Sequence, residues 1–448
     1  MEEPPPAETA SVSEEAARRH VERLVERNRR DTGIDLAHVE PRPIRSVGIV
    51  GAGMMGTAIA ATHVKVGLPV AITDADRDAL STAPERIAAE LAQQIDASDR
   101  ECAERVGRLV QPTDAAAAFG RCDLVLESVV ETVAGKHEVY ARLVPHLADA
   151  AILASNTSTI PIGRLAAALP DPGRFCGVHF FHPVRHRSLV EIVRGPDTSD
   201  ATIAAAVGHA KRIEKMPIVV EDGPAFLVNR LLLPYLIEAM DLLLDGATID
   251  QVERAATQFG MAIGPLRILD EIGIDTVVNA GRVLWQAFPD RIVASPLLVT
   301  MYKKGRLGRK SGAGFFSYAS GTAWDGPSRP DPGVEQLIAQ WARPAQPLTP
   351  ETITHRLILP MVLEATRLLE EGKVRHPGDV DLAVLFGLGF PHARGGLLYW
   401  ADGVGADRIL GLLRPLESLG PRLAPTRLLR QTAEQGGTFY ESRLPRGM

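Results

Sequence analysis

Val47-Gly-Ile-Val50-Gly51-Ala-Gly53-Met-Met-Gly56 is the stretch on which the fold turns. Four apolar residues read as a short buried strand, the three glycines as a turn, 57–66 as a helix, and 70–73 as a second strand. Strand, helix and strand in that order form the unit from which parallel sheets are built.

Working outward, further strands are expected at 124–126, 151–154, 177–181 and 190–193, with helical segments between them. Residues 44–222 therefore read as a doubly wound, Rossmann-like parallel sheet of the α/β class. After Asp222-Gly223-Pro224 the strands disappear, and 225–244 is a long apolar helix candidate. From here the chain repeats itself. Asn229-Arg-Leu-Leu-Leu-Pro234, Glu238 and Asp245-Gly246 match His355-Arg-Leu-Ile-Leu-Pro360, Glu364 and Glu371-Gly372 at a spacing of 126 residues. Phe259-Gly260 and Phe386-Gly387 continue the match with one residue inserted. A long period seen twice implies duplication, hence two all-α domains at 223–320 and 350–440, joined by a polar, Pro-rich stretch at 320–350.

Ahead of the sheet, 1–43 reads as a leader. Residues 1–10 are acidic and proline-rich and bury nothing. Ser11 or Ser13 is placed to cap a helix over 14–30, whose thin apolar stripe is Ala17, Val21, Leu24 and Val25. Pro41 and Pro43 close it.

Composition narrows the function. At 448 residues the chain has room for two to four domains, and 45% hydrophobic content supports more than one core. A net charge of -6 argues against a general nucleic-acid surface. Three scattered cysteines, Cys102, Cys122 and Cys176, form no Cys-x-x-Cys pair, so neither a disulfide framework nor a zinc ribbon is indicated, and a reducing cytoplasm fits best. No signal peptide and no run near the roughly 18 apolar residues of a membrane span is present, so the chain reads as soluble.

The glycine turn carries the first functional reading. Gly51 permits the tight bend, Gly53 lets the backbone approach a pyrophosphate, and Gly56 lets helix and strand pack closely, with the helix N-terminus facing the phosphates. Asp74 ends the second strand 23 residues after Gly51, where a carboxylate grips a ribose 2'-hydroxyl and repels a 2'-phosphate. NAD is thus expected over NADP, with Arg77 nearby to moderate the preference. Met54 and Met55 are expected to pack under the cofactor.

Four segments supply the chemistry: Ser155-Asn-Thr-Ser158-Thr159, Gly177-Val-His179-Phe-Phe-His182-Pro183, Leu189-Val-Glu191-Ile-Val193, and Val228-Asn229-Arg230. Oxidising an alcohol needs a base for the hydroxyl proton while hydride leaves, and imidazole suits that task. A carboxylate beside it fixes the tautomer, and neutral donors such as Ser158 and Asn229 can hold the reacting oxygens.

In these motifs the chain resembles the L-3-hydroxyacyl-CoA dehydrogenase family, most closely the dehydrogenase portion of the multifunctional fatty-acid oxidation complex alpha subunit. The resemblance runs from about Ile44 to about residue 440 and rests on S-N-T-S-T-I, G-x-H-F-F-x-P-V, L-V-E-I-V and F-x-V-N-R in combination. It implies that His179 is the catalytic base, Glu191 its partner, and Ser158 and Asn229 substrate-binding residues. It also implies that Glu131 and Lys136 lie on the nicotinamide side. The reaction implied is oxidation of (S)-3-hydroxyacyl-CoA to 3-oxoacyl-CoA with NAD, as in β-oxidation.

Two departures stand out. His182 occupies the position where the family usually has asparagine, placing a second imidazole close to His179 in sequence. Only about 43 residues precede the sheet, so the hydratase domain of the complex and its activities are expected to be absent, and the leader helix resembles the linker joining the two parts.

The same residues admit other readings. His179, His182, His186 and Glu191 suggest a metal site, but Pro183 breaks their spacing and hydride transfer to NAD needs none, so no metal is expected. Glu191 alternates with Val190 and Ile192, which suits an exposed strand face as well as a cleft. Lys303, Lys304, Arg306, Arg309 and Lys310 could meet coenzyme A phosphates, although a solvated loop is commoner. His355 in place of Asn229 assigns the second helical copy to core and interface. The partners expected are an acyl-CoA substrate and either a second copy of the chain or a hydratase or thiolase. The rival functions are a dehydrogenase of another hydroxy acid or specialised thioester, and a silent NAD-binding scaffold.

Overall fold

The structure is a computed structural model that describes residues 13–35, 41–318 and 329–442. The acidic segment 1–10 and, within the expected linker, 319–328 lie outside the described residues. The chain divides into two compact units, Leu24–Phe226 and Met1–Arg23 with Leu227–Met448.

Helix α1 (Glu14–Arg30) begins where Ser13, one of the two caps offered by the sequence, accepts the Ala16 N–H at 3.3 Å; the other, Ser11, lies outside the described residues. Its buried face is broader than the four-residue stripe read from sequence. His20 and Asn28 join Ala17, Val21 and Leu24 in it. Such polar residues are buried only when bonded, and Asn28 donates to the Pro217 carbonyl at 2.7 Å.

The sheet unit continues as β1 (Val47–Val50), α2 (Met54–Lys65), β2 (Val70–Thr73), α3 (Arg77–Ser81), α4 (Ala83–Ala92), α5 (Asp99–Leu109), β3 (Val110–Pro112), β4 (Leu124–Glu127), α6 (Val133–Leu143), β5 (Ile152–Ser155), α7 (Ile162–Ala166), β6 (Phe175–Phe180), β7 (Leu189–Arg194), α8 (Asp200–Arg212) and β8 (Met216–Glu221). Among the described residues eight strands form one sheet in the order β3-β2-β1-β4-β5-β6-β7-β8. Strands β1, β4 and β5 are buried along their whole length, which is why they read as apolar runs instead of alternating ones. Their inward side chains, Ile49, Leu126 and Ala154 among them, share one core with Ile59 and Val64 of α2.

The sheet is mostly parallel, as expected of a doubly wound fold, with one reversal. Strand β7 runs antiparallel to β6, and β8 runs parallel to β7. The connection 181–188 is too short for a crossover of a dozen or more residues, so the chain turns back on itself. Strands β3 and β8 were not anticipated, the first because it has three residues ending in Pro112 and the second because Pro217 sits inside it.

Beneath the sheet, α2 and α8 share a buried histidine pair. His63 Nδ1 lies 2.7 Å from the Ile59 carbonyl and its Nε2 lies 2.9 Å from His209 Nε2. Nδ1 must therefore carry the His63 proton, and His209 donates to His63 Nε2. Burial pushes His63 down to about 4, with Lys215 adding to the fall against the Ile59 bond. Burial lowers His209 as well, helped by His63 and Arg212.

The helical unit contains α9 (Val228–Leu244), α10 (Ile249–Phe259), α11 (Pro265–Ile272), α12 (Ile274–Ala287), α13 (Pro296–Lys303), α14 (Pro332–Trp341), α15 (Pro350–Glu370), α16 (Pro377–Ala383), α17 (Leu397–Val404), α18 (Ala406–Leu413) and α19 (Arg427–Gln435). The repeat read from sequence maps onto α9 and α15, each with an internal proline, Pro234 and Pro360. The two helices exchange partners reciprocally. Arg230 donates to Glu364 at 2.8 Å and Glu371 at 2.6 Å, while Arg356 donates to Glu238 at 2.9 Å and Asp245 at 2.7 Å.

The inserted residue of the second copy has a structural home. Helix α16 ends in a π-helical turn at Val384–Leu388, a form that takes up one extra residue per turn. The duplication also extends past the recognised motif. Asp270 accepts the N–H groups of Phe315 and Phe316, both at 2.9 Å, and Asp402 accepts those of Phe439 at 2.7 Å and Tyr440 at 3.4 Å. Likewise Glu253 holds the Leu266 N–H, and Asp381 the Leu398 N–H, at the starts of α11 and α17. Among the described residues no helix is long and apolar enough to cross a membrane.

Candidate active site

The glycine turn joins β1 to α2 at the point where the strand order reverses, between β1 and β4, which is where open α/β sheets bind ligands. Gly51 has φ of 107°, and a Cβ there would stand 2.4 Å from the Ser128 carbonyl oxygen. At Gly56 a Cβ would stand 1.8 Å from the Gly51 oxygen, so helix and turn approach as closely as only glycine allows. A Cβ at Gly53, in contrast, would meet no atom within 4 Å.

That geometry fits a dinucleotide. No side chain caps α2 at Gly53, so its first amides are available to a pyrophosphate. Asp74 Oδ2 accepts the Ala52 N–H at 2.6 Å and Oδ1 accepts the Asp76 N–H at 2.8 Å, leaving a lone pair on each oxygen for ribose hydroxyls. Met55 is packed against the sheet core, whereas Met54 is 63% exposed beside the turn.

His179 and Glu191 face each other because β6 and β7 are antiparallel. They are directly paired in the register, so their side chains stand on the same face of the sheet. His179 Nδ1 lies 2.6 Å from Glu191 Oε2. Glu191 is fully buried and His179 4% exposed, so the alternative that Glu191 points to solvent is excluded. With Nδ1–H given to the carboxylate, Nε2 is the atom that can take a proton from substrate. Phe181 and Phe226 flank the imidazole at ring distances of 4.5 and 5.9 Å. Phe226 follows Ala225, and both have left-handed backbone, φ 56° and 60°, a strained pair in non-glycine residues.

Ser158 is exposed on the loop after β5, and Glu131 Oε1 accepts its N–H at 2.8 Å. Glu131 and Lys136 meet at 3.4 Å, and the Lys136 side chain is fully buried. Burial raises the Glu131 carboxyl, but the Lys136 ammonium and the bonds from Thr157, Ser158 and Thr159 outweigh it and hold the group below its usual range. Asn229 stands in the first turn of α9, in the helical unit. His182 is exposed, and burial of part of its ring, then the Arg185 charge, lowers its pKa.

Of the basic residues at 303–310, Arg306 pairs with Asp331, Arg309 with Glu271 and Lys310 with Asp275. Three of the five charges thus have carboxylate partners within the protein. Asn156 was quoted in its motif but given no task. Its Oδ1 accepts the Phe180 N–H at 2.9 Å and its Nδ2 donates to Ser128 at 3.2 Å, fastening the end of β6 beside His179. A polar residue directly after a fully buried strand was the available signal.

The chain matches two family models. That of the 3-hydroxyacyl-CoA dehydrogenase NAD binding domain covers residues 46–223, and that of the 3-hydroxyacyl-CoA dehydrogenase C-terminal domain covers 226–318 and again 353–441. The second model matching twice is the duplication seen in the repeat. Among solved structures, 3-hydroxybutyryl-CoA dehydrogenase from Escherichia coli is 25% identical over 88% of this chain and 99% of its own, with a TM-score of 0.77. (S)-3-hydroxybutyryl-CoA dehydrogenase from Ralstonia eutropha is 34% identical over 62% of this chain and 100% of its own, at 0.59. The dehydrogenase part of multifunctional enzyme 1 from C. elegans is 25% identical over 94% of this chain and 98% of its own, at 0.66.

Proposed function

The chain belongs to the 3-hydroxyacyl-CoA dehydrogenase family, and on that premise we propose that it oxidises (S)-3-hydroxyacyl-CoA thioesters to 3-oxoacyl-CoA in the manner of β-oxidation. The observation that carries the reading is the buried His179–Glu191 pair at 2.6 Å. NAD, when bound at the glycine turn, supplies the hydride acceptor.

The chain's own residues do the rest. His179 Nε2 removes the proton from the substrate hydroxyl, and Glu191, bonded to Nδ1–H, orients the ring and stabilises the imidazolium that forms. The side chains of Ser158 and Asn229 hold the hydroxyl and thioester oxygens. Asp74 selects the cofactor by accepting ribose hydroxyls. Phe181 and Phe226 exclude water from the imidazole, which strengthens each polar contact in the site.

Initial rates of NADH oxidation across a ladder of 3-oxoacyl-CoA lengths, beginning with acetoacetyl-CoA, test the proposal. Turnover that disappears in His179→Ala is expected. Absence of turnover with every thioester, or full activity in His179→Ala, would overturn it.

A further inference from the structure

Glu127 closes β4 and has no part in the chemistry above. It is fully buried, and its carboxylate accepts from four donors: the Val129 N–H at 2.7 Å, Lys136 Nζ at 2.7 Å, Tyr140 Oη at 2.9 Å and Ser155 Oγ at 2.7 Å. A carboxylate has about four lone-pair sites, so this one is saturated. Lys136 is equally buried and reaches a second carboxylate, Glu131 Oε2, at 3.4 Å. Glu131 then holds the loop after β5 with its other oxygen, accepting from Thr157 Oγ1 at 2.6 Å, the Ser158 N–H at 2.8 Å and the Thr159 N–H at 3.1 Å.

A fully buried ion pair is a weak source of stability, because desolvation of two charges offsets their attraction and apolar packing serves as well. What it supplies is direction. The ammonium is fixed on the strand side by Glu127, whose own position is set by the sheet register opposite Val50 and Ser155. From there it ties the second oxygen of Glu131, a side chain 39% exposed whose first oxygen is held only by the loop itself, to the sheet. The loop bearing Ser158 thereby inherits the rigidity of the sheet.

We propose that Glu127 is a positioning residue for the Ser158 loop, acting through Lys136 and Glu131. The chain of contacts stands on distances alone, while its bearing on catalysis rests on the dehydrogenase reading. Glu131, placed on the nicotinamide side by the resemblance, on this view also steadies the loop that bears Ser158.

The test uses the full-length chain with Glu127→Gln, Glu131→Gln and the double variant. Gln at 127 preserves shape and removes the charge that fixes Lys136, and Glu131 is exposed enough for its substitution to leave the fold intact. Amide hydrogen exchange at Ser158 and Thr159 should quicken about tenfold or more in each single variant, with protection of β4 and β5 retained. The double variant should exchange no faster than Glu131→Gln. In Glu127→Gln, whose own carboxylate has no place among the cofactor contacts, KM for acetoacetyl-CoA should rise about fivefold or more while the NADH dissociation constant stays within about twofold. Unchanged exchange in Glu127→Gln, effects that multiply in the double variant, or weakened NADH binding with KM unmoved would overturn the proposal. Should Glu127→Gln not fold, Glu127→Asp, which retracts the carboxylate by one methylene, must show the same loop exchange. If the wild type turns over no thioester, the dehydrogenase reading fails, and the exchange data still decide how the loop is held.

Discussion

Glu191→Gln separates orientation from charge at the imidazole. The amide oxygen of glutamine can still accept the His179 Nδ1–H at the 2.6 Å contact, so the ring keeps its tautomer and place. What disappears is the negative charge facing the imidazolium as the proton arrives at Nε2. With charge centres roughly 4 Å apart and an effective dielectric constant near 20, that attraction is about 4 kcal/mol. At 1.36 kcal/mol per decade it corresponds to about a thousandfold in kcat. Steady-state kinetics at saturating 3-hydroxybutyryl-CoA and NAD, the direction in which the imidazolium forms, give kcat, and NADH fluorescence titration checks that cofactor affinity is unchanged. If kcat fell by less than about tenfold while NADH bound normally, Glu191 would be an orienting group and the electrostatic argument would be wrong.

Two further outcomes are expected from the packing. His63 is held near 4 in the fold against 6.5 when exposed, so its neutral form stabilises the sheet unit fully above 6.5 and that contribution, about 3 kcal/mol, is lost as pH falls toward 4. His209, with Arg212 nearby, acts in the same direction, as does Lys215 on His63, and urea unfolding of wild type and His63→Gln between pH 7 and 4.5 should show a shallower pH slope in the variant. In the helical unit, Glu364→Ala strips Arg230, a buried cation, of one partner and should destabilise by about 3–5 kcal/mol, whereas Arg230→Met with Glu364→Leu should cost less than Glu364→Ala alone. A pair of substitutions as damaging as the single one, measured by urea midpoint, would count against that balance.

The parts of the fold visible in the sequence are those with local causes. The glycine turn could be read because each of its glycines has its own steric reason, and the duplication because Arg230, Pro234 and Glu238 recur as Arg356, Pro360 and Glu364. The spacing from His179 to Glu191 was legible only through resemblance. Physically it is a hairpin register, and it depends on the reversal between β6 and β7 that the apolar runs alone do not reveal. Glu127 escaped notice because a carboxylate ending an apolar strand looks like an ordinary boundary. Only the approach of Lys136, Tyr140 and Ser155 from separate elements shows why it is buried. His20 and Asn28 were passed over in α1 for a related reason, since polar residues on an apolar stripe read as interruptions until their partners are known.

The reciprocal exchange between α9 and α15 makes neither copy self-sufficient. A chain shortened to its first copy would leave Arg230 without Glu364 and Glu371, and would bare Glu238 and Asp245 where Arg356 now sits. Selection on either arginine is therefore selection on residues more than a hundred positions away, and the two halves are bound to drift in step at this seam. Elsewhere the second half is released from that tie, and the histidine at 355, standing where its twin keeps an asparagine, marks where it has begun to diverge.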